Sequence, residues 1–200
     1  MRVIVIGATG TIGSAVVRAL ESRHHDVVPV SRQRAAERVD LEDPASIRAM
    51  YRRVGPVDAV VSVAGRAIFR PLSELVDADF ALSLSSKLMG QINLVRLGIA
   101  SVRDAGSFTL TSGILAHAPS PGSAAISMVN AGVEAFARAA ALEMPRGIRI
   151  NVVSPGWVTE TLVAMGRDPS RGTPADVVAR WYVDAVAGGF TGAVLTATNP

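Results

Sequence analysis

The stretch Val3-Ile4-Val5-Ile6-Gly7-Ala8-Thr9-Gly10-Thr11-Ile12-Gly13 decides the reading of this chain. Residues 3–6 are β-branched without a break, which reads as a strand buried on both faces rather than as a leader segment. A helix pattern over 12–22 opens before the glycines have ended. Gly7 permits the tight turn out of the strand. Gly10 has no Cβ, so backbone N–H groups can approach a phosphate. Gly13 lets the helix lie close on the strand. The helix N-terminus then offers unpaired N–H donors and a partial positive charge to an anion, with Thr9, Thr11 and Ile12 beside them. The spacing is GxxGxxG, and its place between strand and helix makes it a dinucleotide-binding turn.

Outward from this turn the chain alternates. Strand-like runs fall at 27–30, 59–63, 107–111, 149–153 and 193–196, and helical patterns at 45–53, 80–100, 124–143 and 175–187. Apolar runs separated by helices predict an α/β fold: one doubly wound parallel sheet, covered on both faces, in a single domain over 1–200.

Of the 200 residues, 49% are apolar and 18% charged, which suits a globular domain with a real core. The absence of cysteine removes disulfides, thiolate metal sites and cysteine nucleophiles, and fits a cytoplasmic protein. The net charge of +3 is spread without a basic block, so nucleic acid is not an expected partner. No run approaches the roughly 18 apolar residues of a membrane helix. No metal site is expected. His24-His25 reads as positive charge at the end of the first helix.

The second strand ends in Ser31-Arg32, with Arg34 close by. An acid there would bind the ribose hydroxyls of NAD, whereas Arg32 attracts a 2′-phosphate. The expected cofactor is therefore NADP, with NAD as the second choice.

The whole chain resembles the short-chain dehydrogenase/reductase family, on landmarks in that family's order. These are the glycine turn, Asp40-Leu41 at the adenine ring, Val61-Ser62-Val63-Ala64-Gly65 for Asn-Asn-Ala-Gly, and Ile148-Arg149-Ile150-Asn151-Val152-Val153-Ser154-Pro155-Gly156 beside the nicotinamide. Thr191-Gly192 stands at the turn before the last strand. The resemblance implies a Rossmann domain whose cofactor contacts include Asp40, Leu41, Ala64, Gly65, Pro155, Gly156 and Val158. It also implies a homodimer or homotetramer formed through the long helices, for which Ala131, Ala135 and Ala139 offer a stripe of small residues. The chain is shorter than a usual member, partly after Pro155-Gly156, where a substrate-covering segment normally sits.

Family chemistry moves a hydride between nicotinamide and a carbonyl carbon. By the resemblance, a tyrosine handles the proton, a lysine one turn on tunes it, a serine orients the substrate and an asparagine holds a water. Here Ile126 stands for the tyrosine, Asn130 for the lysine, Gly113 (after Ser112) for the serine and Lys87 for the asparagine. All four positions depart from the pattern, and isoleucine has no proton to give. Tyr51 and Tyr182, the chain's two tyrosines, fall on elements away from the nicotinamide.

The remaining polar candidates for this cleft are Ser112, His117, Lys87, Ser127 and Asn130. His117 follows the strand ending at Thr111-Ser112 and is placed to act as acid or base. Lys87 could meet a carboxylate or serve a structural role. Three readings stay open: an oxidoreductase with a substitute proton donor such as His117, a non-catalytic nucleotide-binding protein, and a scaffold repurposed for non-redox chemistry such as cyclisation or isomerisation. The small-molecule substrate is not legible.

Overall fold

The computed structural model describes residues 1–197. Seven parallel strands form one sheet: β1 (Arg2–Ile6), β2 (Asp26–Ser31), β3 (Glu37–Arg38), β4 (Val57–Ser62), β5 (Val102–Thr111), β6 (Arg149–Pro155) and β7 (Val194–Ala197). Their order is β3-β2-β1-β4-β5-β6-β7, so the chain reverses its winding at β1. Ligands of such sheets bind at that reversal, outside the C-terminal strand ends.

Alternation along each strand fills two cores. Ile4, Ile6, Phe108, Leu110, Ile150 and Val152 face helices α2 (Pro44–Val54), α4 (Gly90–Gly98) and α5 (Ala124–Ala140). Val3, Val5, Ala59, Val61 and Val153 face α1 (Thr11–Glu21) and α7 (Ala175–Ala187). Both faces are covered, as parallel strands require. Local signals set the helix ends. Asp43 caps α2 by accepting from the Ala45 N–H at 2.8 Å, Pro44 starts it, and Gly55 ends it at φ +75°.

Three expectations need correction. The helix predicted over 80–100 is three pieces, α3 (Asp77–Ser83), a wide π-turn over Leu84–Met89 and α4. Its pattern is helical throughout, and hydrophobic spacing does not register one extra residue per turn. The helix predicted to reach 143 ends at Ala140. His24-His25 lies beyond α1, which ends at Glu21, and His24 is left-handed at φ +60°. Its imidazoles therefore do not cap that helix. The segment after Gly156 carries a short helix, α6 (Thr159–Ala164), which has too few residues for periodicity to reveal.

Candidate active site

The glycine turn takes the shape its spacing requires. Gly7 sits at φ +84°, and a Cβ there would fall 2.7 Å from the Val63 carbonyl oxygen. A Cβ on Gly13 would lie deep inside the Gly7 carbonyl. Gly10 differs: its Cβ direction meets only the Gly7 oxygen, at 3.4 Å. Among the described residues nothing requires glycine at this position. Gly10 is also the N-cap of α1, with no side-chain cap and no acid in the first turn. The N–H groups of α1 thus open onto the cleft, with Thr9 and Thr11 exposed beside them. These features fit a dinucleotide pyrophosphate.

Two cavities flank the turn. The first, of about 250 Å³, is lined by Gly7, Ser31, Arg32, Asp40, Leu41 and Gly65, among others. Ala64 also lines it, so every residue expected at the adenosine end is gathered there. Arg32 is half exposed and paired with Asp40 at 3.0 Å. Ser31 Oγ accepts from the N–H groups of Arg34 and Ala35, at 2.8 and 2.7 Å, which fixes the loop that presents Arg32.

The second cavity, of about 560 Å³, lies where the nicotinamide end is expected. Ile12, Ser112, Gly113, Ile126, Asn130, Pro155, Gly156 and Val158 all line it. Asn130 is buried. Its Nδ2 lies 3.5 Å from the Gly113 oxygen, and its Oδ1 has no partner among the described residues.

Not all the polar candidates reach this cavity. Ser127 donates to Ser123 Oγ at 3.0 Å instead. Lys87 sits in the π-turn, behind the wall. Its stem crosses Gly65, and its Nζ donates to the Ser112 oxygen at 3.3 Å. Gly65, at φ +130°, has no side chain to obstruct that stem. Burial pushes the Lys87 ammonium down to about 8. Gln91, fully buried, grips both the N–H and the carbonyl of Thr111 at 2.8 Å each, and so fixes the strand end that carries Ser112.

His117 joins the site indirectly, through a residue that sequence reading missed. Glu134 on α5 is completely buried. Ser112 Oγ donates to its Oε1 at 2.8 Å, His117 Nε2 meets its Oε2 at 2.6 Å, and Arg138 stands 3.8 Å from the same oxygen. The His117 side chain is 54% exposed. A hydrogen-bonded line therefore runs from the cavity wall to solvent through one buried carboxylate. The available signal was the four-residue spacing Ile126, Asn130, Glu134, Arg138, which sets all four along one face of α5.

Neither tyrosine lines this cavity. Tyr51 donates to the Leu94 oxygen at 2.7 Å, and Tyr182 shares a 2.7 Å hydrogen bond with Thr111 Oγ1. Both are buried, and burial raises both phenols far above their usual range. Among the described residues no cluster of His, Asp and Glu could hold a metal. No helix there is long and apolar enough to cross a membrane.

Comparison with known proteins agrees with this architecture. Residues 7–183 match the family described as enoyl-(acyl carrier protein) reductase. The pig protein named carbonyl reductase (NADPH) 2 is 30% identical, over 84% of this chain and 74% of its own length. The cis-4-hydroxycyclohexanecarboxylate dehydrogenase of Sinomonas cyclohexanicum is 31% identical, over 87% of this chain and 68% of its own. Among solved structures, the protein lin1944 from Listeria innocua superposes with a TM-score of 0.94 at 45% identity, covering 99% of this chain and 100% of that one. A small-chain dehydrogenase in complex with NADPH superposes with a TM-score of 0.86 at 25% identity, covering 98% and 95%.

Proposed function

Because the chain belongs to the short-chain dehydrogenase/reductase family, we propose that it is an NADP(H)-dependent oxidoreductase whose proton travels through Ser112 and Glu134 instead of a tyrosine. The observation that carries this reading is the open cavity of about 560 Å³ on which Ser112 and Asn130 converge beside Ile126. A cleft closed by its own side chains would favour a protein that only binds the cofactor.

Bound in this cleft, the nicotinamide supplies or accepts the hydride, and the chain's own residues handle the proton. In the reduction direction Glu134 takes a proton from His117, and its carboxyl becomes the donor to Ser112 Oγ. The Ser112 hydroxyl then turns its own hydrogen to the substrate oxygen, while the exposed edge of His117 refills from water. Oxidation runs the same line in reverse. The two contacts at Glu134 are already 2.6 and 2.8 Å long, but they use different oxygens, so the carboxyl turns to carry the proton received at Oε2 round to Ser112 Oγ.

The preference for NADP rests on Arg32, held at the adenosine cavity by the Ser31 loop and placed to pair a 2′-phosphate. The NADPH complex of a similar dehydrogenase and the name of the pig relative support it. Ala131, Ala135 and Ala139 are exposed one turn apart on α5, which supports close pairing with a second copy. Ile126 favours a second reading, cofactor binding without turnover.

Calorimetric titration with NADPH and NADH, followed by nicotinamide absorbance assays on a panel of aldehydes and diketones, tests the proposal. NADPH should bind more tightly. Ser112→Ala should lower kcat by about a hundredfold or more while leaving NADPH affinity unchanged. Tighter NADH binding, or a Ser112→Ala variant as active as the parent, would overturn it.

A further inference from the structure

The cavity beside Ile126 has a marked chemical asymmetry. Its walls are apolar, with Phe69, Ile114, Leu115 and Trp157 among them. Phe69 and Met165, at its rim, are 42% and 47% exposed, so apolar surface stands uncovered at the entrance. Phe69 and Trp157 meet edge to face, with centroids 6.2 Å apart and planes at 70°. Such a corner suits the flat face of a ring.

Against this apolar lining stands one charge. Among the described residues Arg167 is the only charged one lining the cavity, and no acid lines it. Its guanidinium carbon lies 5.5 Å from the Trp157 ring centroid. Among the described residues no carboxylate lies within ion-pair distance of it. The adjacent Asp168 caps the turn over Pro169–Arg171 by accepting from the Ser170 N–H at 2.9 Å. Stacking on Trp157 preorganises the planar fork of Arg167, the geometry that binds a carboxylate through two parallel hydrogen bonds.

Resting on the reading of this cavity as the substrate side of the cleft, we propose that its substrate is an apolar, ring-bearing carboxylic acid. The ring lies in the corner of Phe69 and Trp157, and the carboxylate pairs with Arg167. The volume admits such a ligand together with the nicotinamide end of the cofactor. A cationic ligand would meet the exposed Arg167 unfavourably, and a neutral one would gain nothing from its charge.

Phenylpropanoate and phenylpropanamide share one apolar body and differ in charge. Ligand-observed NMR titration of both, with and without NADPH, tests the proposal. The acid should bind about five- to tenfold more tightly than the amide, and added salt should erode that difference. Arg167→Gln should bring the acid down to the amide's affinity. Trp157→Leu should weaken both ligands. Equal binding of acid and amide, binding of neither, or an acid preference that survives Arg167→Gln would overturn the substrate class. A protein that binds NADPH but ignores the charge refutes this inference alone. One that prefers the acid yet fails to bind NADPH refutes the cofactor reading alone.

Discussion

Ser112 and Glu134 are joined by a hydrogen bond of 2.8 Å that ties the wall of the cavity to a carboxylate with no exposure to solvent. An ionised carboxylate costs several kcal/mol to bury unless its lone pairs are occupied. Ser112, His117 and, at longer range, Arg138 occupy them here. Glu134→Ala strands both Ser112 and His117, and is expected to cost about 3 kcal/mol in denaturant unfolding. Glu134→Gln keeps the shape, with its amide able to accept from Ser112 and donate toward His117, and should cost about 1 kcal/mol. A Glu134→Ala variant within about 0.5 kcal/mol of the parent would contradict a network that matters to stability.

Gly113 and Asn130 are matched in volume. A Cβ on Gly113 would lie 2.9 Å from Asn130 Nδ2, closer than real contacts allow. Gly113→Ala should therefore destabilise the parent by about 1 kcal/mol and cost almost nothing when Asn130 is also alanine. That gives a double-mutant coupling of about 0.5–1 kcal/mol. Additive effects would mean that Asn130 moves aside freely. The same geometry sets the order for rebuilding the family's pattern, because Gly113→Ser fits only after Asn130→Lys has removed the amide. With Ile126→Tyr added, activity on small activated dicarbonyls should rise above the parent's.

Lys87, the only lysine in the chain, gives a pH signature. Burial holds its ammonium at about 8, below the ordinary 10.5. Between these values the unfolded chain binds more protons than the folded one, so stability rises with pH. The cost of the buried charge is complete below pH 8 and fades toward 10.5. Lys87→Met should thus be more stable than the parent at neutral pH, with the gap closing as pH approaches about 10. Paired urea titrations at neutral and alkaline pH measure this. A gap independent of pH would show that Lys87 titrates normally.

Gly10 and Gly13 separate binding from folding. Gly13→Ala forces a Cβ into the Gly7 carbonyl and should prevent the native turn. Gly10→Ala meets no such obstacle, so its melting temperature should stay close to the parent's. Its methyl group would instead occupy the approach to the α1 N–H groups, and NADPH affinity should fall at least about tenfold. Unchanged affinity in a folded Gly10→Ala protein would place the phosphates elsewhere.

Much of the site was legible because its determinants are local. Gly7, Gly10 and Gly13 act within one turn. Ile126 and Asn130 line the same cavity because four residues make about one helical turn. Glu134 extends that series, but a charged residue on a helix reads as solvated until its neighbours are known. The π-turn around Lys87 was invisible for a related reason, since it changes hydrogen-bond partners without changing hydrophobicity.

The sequence by itself determined the alternating β/α order, the glycine turn between β1 and α1, and the isoleucine at position 126. Each depends on residue type at short spacing, where backbone sterics and periodicity act alone. Only the tertiary structure decided what stands beside Ile126. Ser112 ends β5, His117 follows it on a loop and Glu134 lies 22 and 17 residues further on. Arg167 meets Trp157 across the α6 segment. These groups become neighbours because parallel strands carry their C-terminal ends to one edge of the sheet, and the order in which they arrive there is written in no local pattern.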